Sequence, residues 1–251
     1  MMDILPGAML QCRMVAPFCP PTDDEAPKVV LRSNMKFALR WSISFAVTAV
    51  LCFLSVLFID VPVERLFSGV RKYYPGGLVI GAAPLVGAIV LVALFYGAKR
   101  WRGRAPSLGG QVAILAAVSS LAALAICDLM LKPLFGRLPV DGYLLHDWHS
   151  GFRLFHGNRH SSFPSGHAAI AASVLTILWR FFPQHRRLYT AALTGISAIL
   201  VAGYWHFVSD IFAGTFVGAS TAIASIALGQ RYRLYLERTL GQPSLDHEIN
   251  T

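Results

Sequence analysis

Phe-Pro-Ser-Gly-His occupies residues 163–167, and 39 positions after His167 comes His206, which stands four residues before Asp210. A proline, a small hydroxyl residue and a glycine at the opening of a helix leave backbone N–H groups free to take an anion, with the positive end of the helix dipole behind them. His167 sits over that helix start. His206 and Asp210 fall one turn apart on a helix, and a carboxylate so placed holds an imidazole in one tautomer and raises its basicity. A phosphate ester suits such a site. Each feature also has a plain structural reading: Pro164-Ser165-Gly166 as an ordinary helix start, His206 as a hydrogen-bonding residue at a membrane interface, Asp210 as a helix cap. Their joint occurrence where apolar stretches meet polar ones favours chemistry.

The elements that must hold these residues are written in the composition. Apolar residues make up 55% of the chain, charged residues only 14%, and the mean hydropathy is +0.55. Six apolar stretches, at 39–59, 78–98, 111–131, 164–182, 188–206 and 210–229, are each long enough to cross a ~30 Å hydrocarbon core as a helix. Pro84 lies inside the second, where a spanning helix tolerates it as a kink. The expected fold is therefore all-α: a six-span helical bundle over residues 37–230, preceded by a disordered tail at 1–36 and followed by a tail at 231–251.

Charge orients the bundle. Lys28, Arg32, Lys36, Arg40, Lys99, Arg100, Arg102, Arg104, Arg180, Arg186, Arg187, Arg231, Arg233 and Arg238 fall on one side of the expected spans, fourteen in all, against seven on the other. The positive-inside rule puts both termini in the cytoplasm. Lys132, His167, His206 and Asp210 then lie on the outer side, the periplasm of a bacterial cell, in a multi-pass protein of the inner membrane. The net charge of +9 is spread over the loops between spans and not gathered on one soluble face, so no nucleic-acid partner is expected.

Cys12, Cys19, Cys52 and Cys127 form no disulfide framework, two being in apolar spans and two in a tail expected to be reducing. The tail carries five prolines and an acidic cluster at Asp23, Asp24 and Glu25 without sustained periodicity. No cleaved signal peptide is expected there, and Met35-Lys36, directly before the first span, reads as an alternative start. The long connection 132–163 holds Lys132, Arg137, Arg153 and Arg159, four histidines at 146, 149, 156 and 160, and Trp148, Phe152 and Phe155. The histidine pairs lack a third ligand at a recognisable spacing, so neither a metal nor another cofactor is expected. The aromatic residues suit a membrane interface. Gly214, Gly218 and Ala222, four apart, suit close helix packing, and Asp128 stands one turn before Lys132 as its natural partner.

Lys132-Pro-Leu-Phe-Gly-Arg137-Leu-Pro139, then Phe163-Pro-Ser-Gly-His167, then His206-Phe-Val-Ser-Asp210 together resemble the type-2 phosphatidic acid phosphatase superfamily, in its membrane branch, over about 128–214. The resemblance implies a metal-independent lipid phosphatase with its active site between the third and fourth spans, facing outward. It implies that His206 attacks phosphorus to form a phosphohistidine, that Asp210 orients its ring, and that His167 protonates the departing alkoxide. Lys132 and Arg137, with the amides at Ser165 and Gly166, would hold the non-bridging oxygens. Lys132 and Arg137 also have a plainer reading, as headgroup anchors at a span end.

The pattern departs from the family in two places. The family's arginine six residues before the nucleophilic histidine is Leu200 here, with Ile199 where a serine would stand, and the arginine seven residues after the lysine is Pro139. Losing one preorganised donor typically costs on the order of 10²–10³ in rate. Two readings therefore stay open: an active phosphatase, with Arg137, Arg153 or Arg159 supplying the missing charge, and a degraded relative that binds a lipid phosphate without efficient turnover. Undecaprenyl diphosphate, phosphatidate, phosphatidylglycerophosphate and the phosphates of lipid A all fit a site at headgroup depth among membrane lipids. A transporter is disfavoured, since the spans lack a buried ionisable network or paired broken helices. The sequence leaves the oligomeric state open.

Overall fold

The computed structural model describes residues 26–71, 90–92, 94–96, 98–99, 107–140, 151–158 and 161–240. Among these, every regular element is helical. The first helix, α1, covers Ala26–Phe58, and α2 covers Asp60–Arg71. Helix α3, Leu108–Ala125, continues through a π-helical turn at Ile126–Leu131 into the short α4, Lys132–Phe135. Helix α5 covers Gly166–Phe181, a 3₁₀ turn at Pro183–His185 leads into α6, Arg186–Ala202, and α7 covers Val208–Leu240. The chain divides into compact units at 1–47 and 48–251. What is described of the first is the opening of α1; every candidate site residue belongs to the second.

Among the described residues, three stretches are long and apolar enough to cross a bilayer: Met35–Phe58, Leu108–Phe135 and Val208–Arg231. They correspond to the first, third and sixth of the expected spans. Leu39, Phe45, Phe53 and Phe58 of the first are exposed, as a helix facing lipid requires. The fourth and fifth expected spans are helices of 16 and 17 residues, so α5 runs about 24 Å at 1.5 Å per residue. Both are trimmed at the end where the site lies. Ser165 caps α5 by accepting from the Ala168 amide at 3.2 Å, and α6 stops at Ala202, before Tyr204 takes a positive φ of 62°. Most of the expected second span, with Pro84, and residues 1–25 of the expected disordered tail lie outside the described residues. Helix α1 begins at Ala26, inside the range expected to be tail.

Small residues set the distances between helices. A Cβ at Gly214 would strike the carbonyl of Ser165, and one at Gly218 the carbonyl of Ala169, so α7 lies directly on the backbone of α5. Ala222, the next residue in the same stripe, is fully buried against Val112, Ala116 and Ile177. In lipid, where apolar burial gives little drive between helices, such close backbone approach and interhelical hydrogen bonds are what hold a bundle. Ser119 of α3 and Ser173 of α5 supply one such bond, Oγ to Oγ at 2.8 Å, with both residues fully buried.

The two kinds of glycine predict opposite responses. Gly218→Ala forces α5 and α7 apart and should destabilise the protein by about 1–3 kcal/mol, whereas Gly195→Ala in α6, where nothing lies within 4 Å of the new Cβ, should stabilise it by roughly 0.5–1 kcal/mol. Equilibrium unfolding of the two variants in one detergent checks both signs.

Candidate active site

The lysine of the first motif is delivered by an irregularity in its helix. The π turn at Ile126–Leu131 adds a residue to the helical repeat, with the Lys132 amide donating to the Cys127 carbonyl, and Pro133 then removes a further backbone donor. π turns of this kind are common at functional sites. Lys132 is nearly buried, and its Nζ lies 2.8 Å from Asp128 Oδ1, one turn back as the spacing implied.

Gly136 ends α4 in the left-handed region, at φ 55°. The following loop clasps this turn. Phe155 donates to the Leu134 carbonyl at 2.8 Å, Gly157 to Pro133 at 3.1 Å and Arg153 to Gly136 at 3.2 Å, while Leu138 donates to Gly151 at 2.8 Å. A side chain at Gly136 would meet the Arg153 carbonyl, and one at Gly157 would meet Lys132 and Gly136, so both positions require glycine. Ser162 closes the clasp, its amide donating to the Arg137 carbonyl at 2.9 Å and its hydroxyl to that of Leu138 at 3.0 Å. The chain then enters Pro164 and α5.

At the head of α5 the Ser165 amide donates to the Asp210 carbonyl at 3.0 Å, and the Ala168 amide is taken by Ser165 Oγ. Of the first amides of this helix, which have no intrahelical acceptor, those of Gly166 and His167 remain for an anion. His167 stacks edge-on against Trp205 at 5.3 Å between ring centroids and against His206 at 5.9 Å. Its Nε2 is buried with no hydrogen-bond partner among the described residues.

His206 belongs to the short connection between α6 and α7. Its amide and that of Trp205 both donate to the Leu200 carbonyl, at 3.3 and 3.1 Å, and the Tyr204 hydroxyl donates to the Glu64 carbonyl at 2.6 Å, so the turn is fastened at both ends. Asp210, fully buried, reaches back to accept from the Phe207 amide at 3.0 Å and caps α7. The same Oδ2 lies 3.6 Å from His206 Nδ1, just beyond hydrogen-bond length.

Arg137 sits behind this pair. Its Nη1 donates to Asp210 Oδ1 at 2.6 Å and to Ser209 Oγ at 2.5 Å, and its Nη2 to Asp60 Oδ2 at 2.7 Å. The guanidinium lies over the Phe207 ring at 3.9 Å from the centroid, with Phe152 at 4.9 Å. Phe152 thus packs onto the site, while Phe155 is exposed. Asp60 lies outside the motifs, and Ser209 lies within the third one at a position given no role there. Both are fully buried, and Asp60 accepts from the Ser209 amide at 3.0 Å and hydroxyl at 2.5 Å.

Lys132 and His206 face one cavity of about 310 Å³, lined also by Pro139, Ser161, Ser162, Tyr204 and Trp205. Position 139, where the family carries an arginine, is therefore on the cavity wall, and Ser161 and Ser162 are polar neighbours that motif spacing did not single out. Leu200 is buried in an apolar cluster with Ala168, Val201 and Ile211. A larger cleft of about 910 Å³ lies between α5, α6 and α7, but it is bounded mainly by apolar side chains together with Arg180 and Arg186 and has no histidine or carboxylate on its wall. The motif lysine and histidine face the smaller cavity. Arg153 is exposed, and Arg159, His146, His149, Trp148 and His160 lie outside the described residues. Exposed His156 uses Nδ1 to donate to the Leu154 carbonyl at 2.8 Å.

Residues 113–233 match the family model described as the PAP2 superfamily. No curated protein matches the chain. Among solved structures, the first transmembrane PAP2 type phosphatidylglycerolphosphate phosphatase from Bacillus subtilis is similar at 16% identity, with a TM-score of 0.34 over 78% of this chain and 96% of that one.

Because Arg137 stands between two buried carboxylates, its removal leaves Asp60 and Asp210 uncompensated at close range. Arg137→Met should lower stability by about 3–5 kcal/mol, which denaturant unfolding in detergent measures. A loss below about 1 kcal/mol would mean that the cluster is hydrated and contributes no more than a surface pair.

Proposed function

We propose that this chain, which belongs to the PAP2 superfamily through residues 113–233, hydrolyses a phosphomonoester or diphosphate of a lipid through a phosphohistidine on His206. The observation that carries this reading is that Lys132 and His206 line one small cavity while His167, with its buried Nε2 and the open amides beside it at the head of α5, packs against the His206 ring. With Nδ1 turned toward Asp210, His206 presents Nε2 to phosphorus. The N–P bond forms as the bridging P–O bond breaks, and His167 gives its proton to the leaving oxygen, a lipid alkoxide from a monoester or a lipid phosphate from a diphosphate. Asp210 offsets the positive charge gained by the attacking ring, the 3.6 Å separation tightening as that charge appears. Lys132 and the amides of Gly166 and His167 hold the non-bridging oxygens, with Ser165 contributing its hydroxyl. Arg137 acts one layer back, through Asp210. Water then cleaves the N–P bond, giving its proton to His167 and releasing inorganic phosphate.

A cavity of this size takes a phosphate headgroup and leaves the acyl or prenyl chains in lipid. We place it at the periplasmic surface of a six-span inner-membrane bundle with cytoplasmic termini. Arg180, Arg186 and Arg187 stand at the opposite end of α5 from His167, the separation that the positive-inside rule asks for. His206 needs no metal in this scheme.

Purified protein in detergent with excess chelator should release phosphate from one or more of phosphatidate, phosphatidylglycerophosphate, undecaprenyl diphosphate and lipid A, and His206→Ala should reduce that release by about 10³-fold or more. Lys132→Ala should lower kcat/KM by about 10²–10³. No release from wild type, with release gained in Leu200→Arg, would instead identify a degraded site that binds a lipid phosphate.

A further inference from the structure

Asp60 is buried as completely as Asp210, yet no step above uses it. It lies at the start of α2, and its Oδ2 accepts from Arg137 Nη2 at 2.7 Å and from Ser209 Oγ at 2.5 Å, while its Oδ1 accepts from the Ser209 amide at 3.0 Å. The Ser209 hydroxyl bridges the cluster, accepting from Arg137 Nη1 and donating to Asp60.

The charge count gives Asp60 its meaning. An arginine is always protonated, and Arg137 lies against Asp210 at 2.6 Å, nearer than the His206 ring at 3.6 Å. Paired with Arg137 alone, Asp210 would belong to a neutral ion pair and would do little for an imidazole that becomes cationic when it attacks phosphorus. With two carboxylates around one guanidinium, the cluster carries one net negative charge, and His206 is the ring at its open side. The fork geometry of the guanidinium lets one nitrogen serve each carboxylate.

We infer that Asp60 is a positioning residue of this site: it shares the charge of Arg137, so that Asp210 stays negative toward His206 while being held rigidly by the same arginine. The inference rests on the reading of His206 as the nucleophile. It differs from a purely structural clamp in what it requires, since removing Asp60 and Arg137 together restores the net charge although it removes every bond between them.

Inorganic vanadate, an oxyanion that forms a bond to an imidazole nitrogen in a trigonal bipyramid, reports this without knowledge of the lipid. Its affinity for the purified full-length chain in detergent is measured by titration calorimetry. Asp60→Asn, which keeps the shape and a hydrogen-bond acceptor, should weaken binding by about 10–100-fold. Asp60→Asn/Arg137→Gln, which restores the net charge but not the hold of Arg137 on Asp210, should bind at least about threefold more tightly than Asp60→Asn, and Ser209→Ala, which removes bonds but no charge, should stay within about threefold of wild type. For a lipid phosphate that the protein hydrolyses, the same variants should change kcat in the same order with KM held within about twofold. Wild-type affinity in Asp60→Asn, a double variant no tighter than the single one, or a Ser209→Ala loss as large as that of Asp60→Asn would each overturn the inference. Where Asp60→Asn does not fold, Asp60→Ser takes its place in each comparison. Vanadate bound as tightly by His206→Ala as by wild type overturns the underlying reading; binding lost in His206→Ala but kept in Asp60→Asn overturns only the role of Asp60.

Discussion

The guanidinium of Arg137, held between Asp60 and Asp210, is the interaction on which the rest of the site depends. It joins three parts of the chain that are far apart in sequence: the end of α1 and start of α2, the turn after α4, and the first turn of α7. A buried charge is tolerable only when paired, and here Ser209, the backbone amides of Phe207 and Ser209, and the faces of Phe152 and Phe207 support the pairing, while Arg137 Nε meets no hydrogen-bond acceptor among the described residues. The Asp210 carboxylate is therefore fixed by protein groups alone. Preorganisation of this kind is where catalytic sites gain most over water.

Helix packing brings the other half of the site to meet it. Because Gly214 and Gly218 let α7 rest on the backbone of α5, the Ser165 amide can donate to the Asp210 carbonyl, and the head of α5 comes to lie beside the His206 turn. The clasp around Gly136 and Gly157 then sets Lys132 and Ser162 on the remaining wall. Each contact is between backbones or short side chains, which leaves little freedom for the site to drift. Leu200 and Pro139 fit the same picture: the first is absorbed into the apolar packing under α5 and α7, the second lines the cavity without charge. Lys132 is the cation on the cavity wall among the described residues.

How much of this could be read in advance follows from the range of each interaction. Pro164-Ser165-Gly166-His167 was legible because capping is local: the Ser165 hydroxyl bonds to an amide three residues on. The His206–Asp210 and Asp128–Lys132 relations were legible for the same reason, each being four residues apart. Asp60 was not, since it meets Arg137 across 77 residues and Ser209 across 149, and a lone acid after an apolar stretch looks like any helix start. Spacing identified Arg137, but its commitment to two buried carboxylates comes only from the tertiary arrangement. Hydropathy found the apolar helices, whereas the ends of α5 and α6 are set by the Ser165 cap and the Tyr204 turn, which overrule an apolar pattern that runs on. Three helices long enough to span are described, where the pattern alone suggested six.

One covalent bond, between phosphorus and an imidazole nitrogen of His206, is what the proposed chemistry requires. The most direct test is to mix the purified protein with a hydrolysable lipid phosphate, quench with alkali within the first turnover, and locate the phosphoryl group by peptide mass spectrometry. Phosphate on His206, stable in alkali and lost in mild acid as a phosphoramidate must be, is the predicted result. Turnover that proceeds with no phosphoryl group ever found on His206, or with one found on another residue, would contradict it.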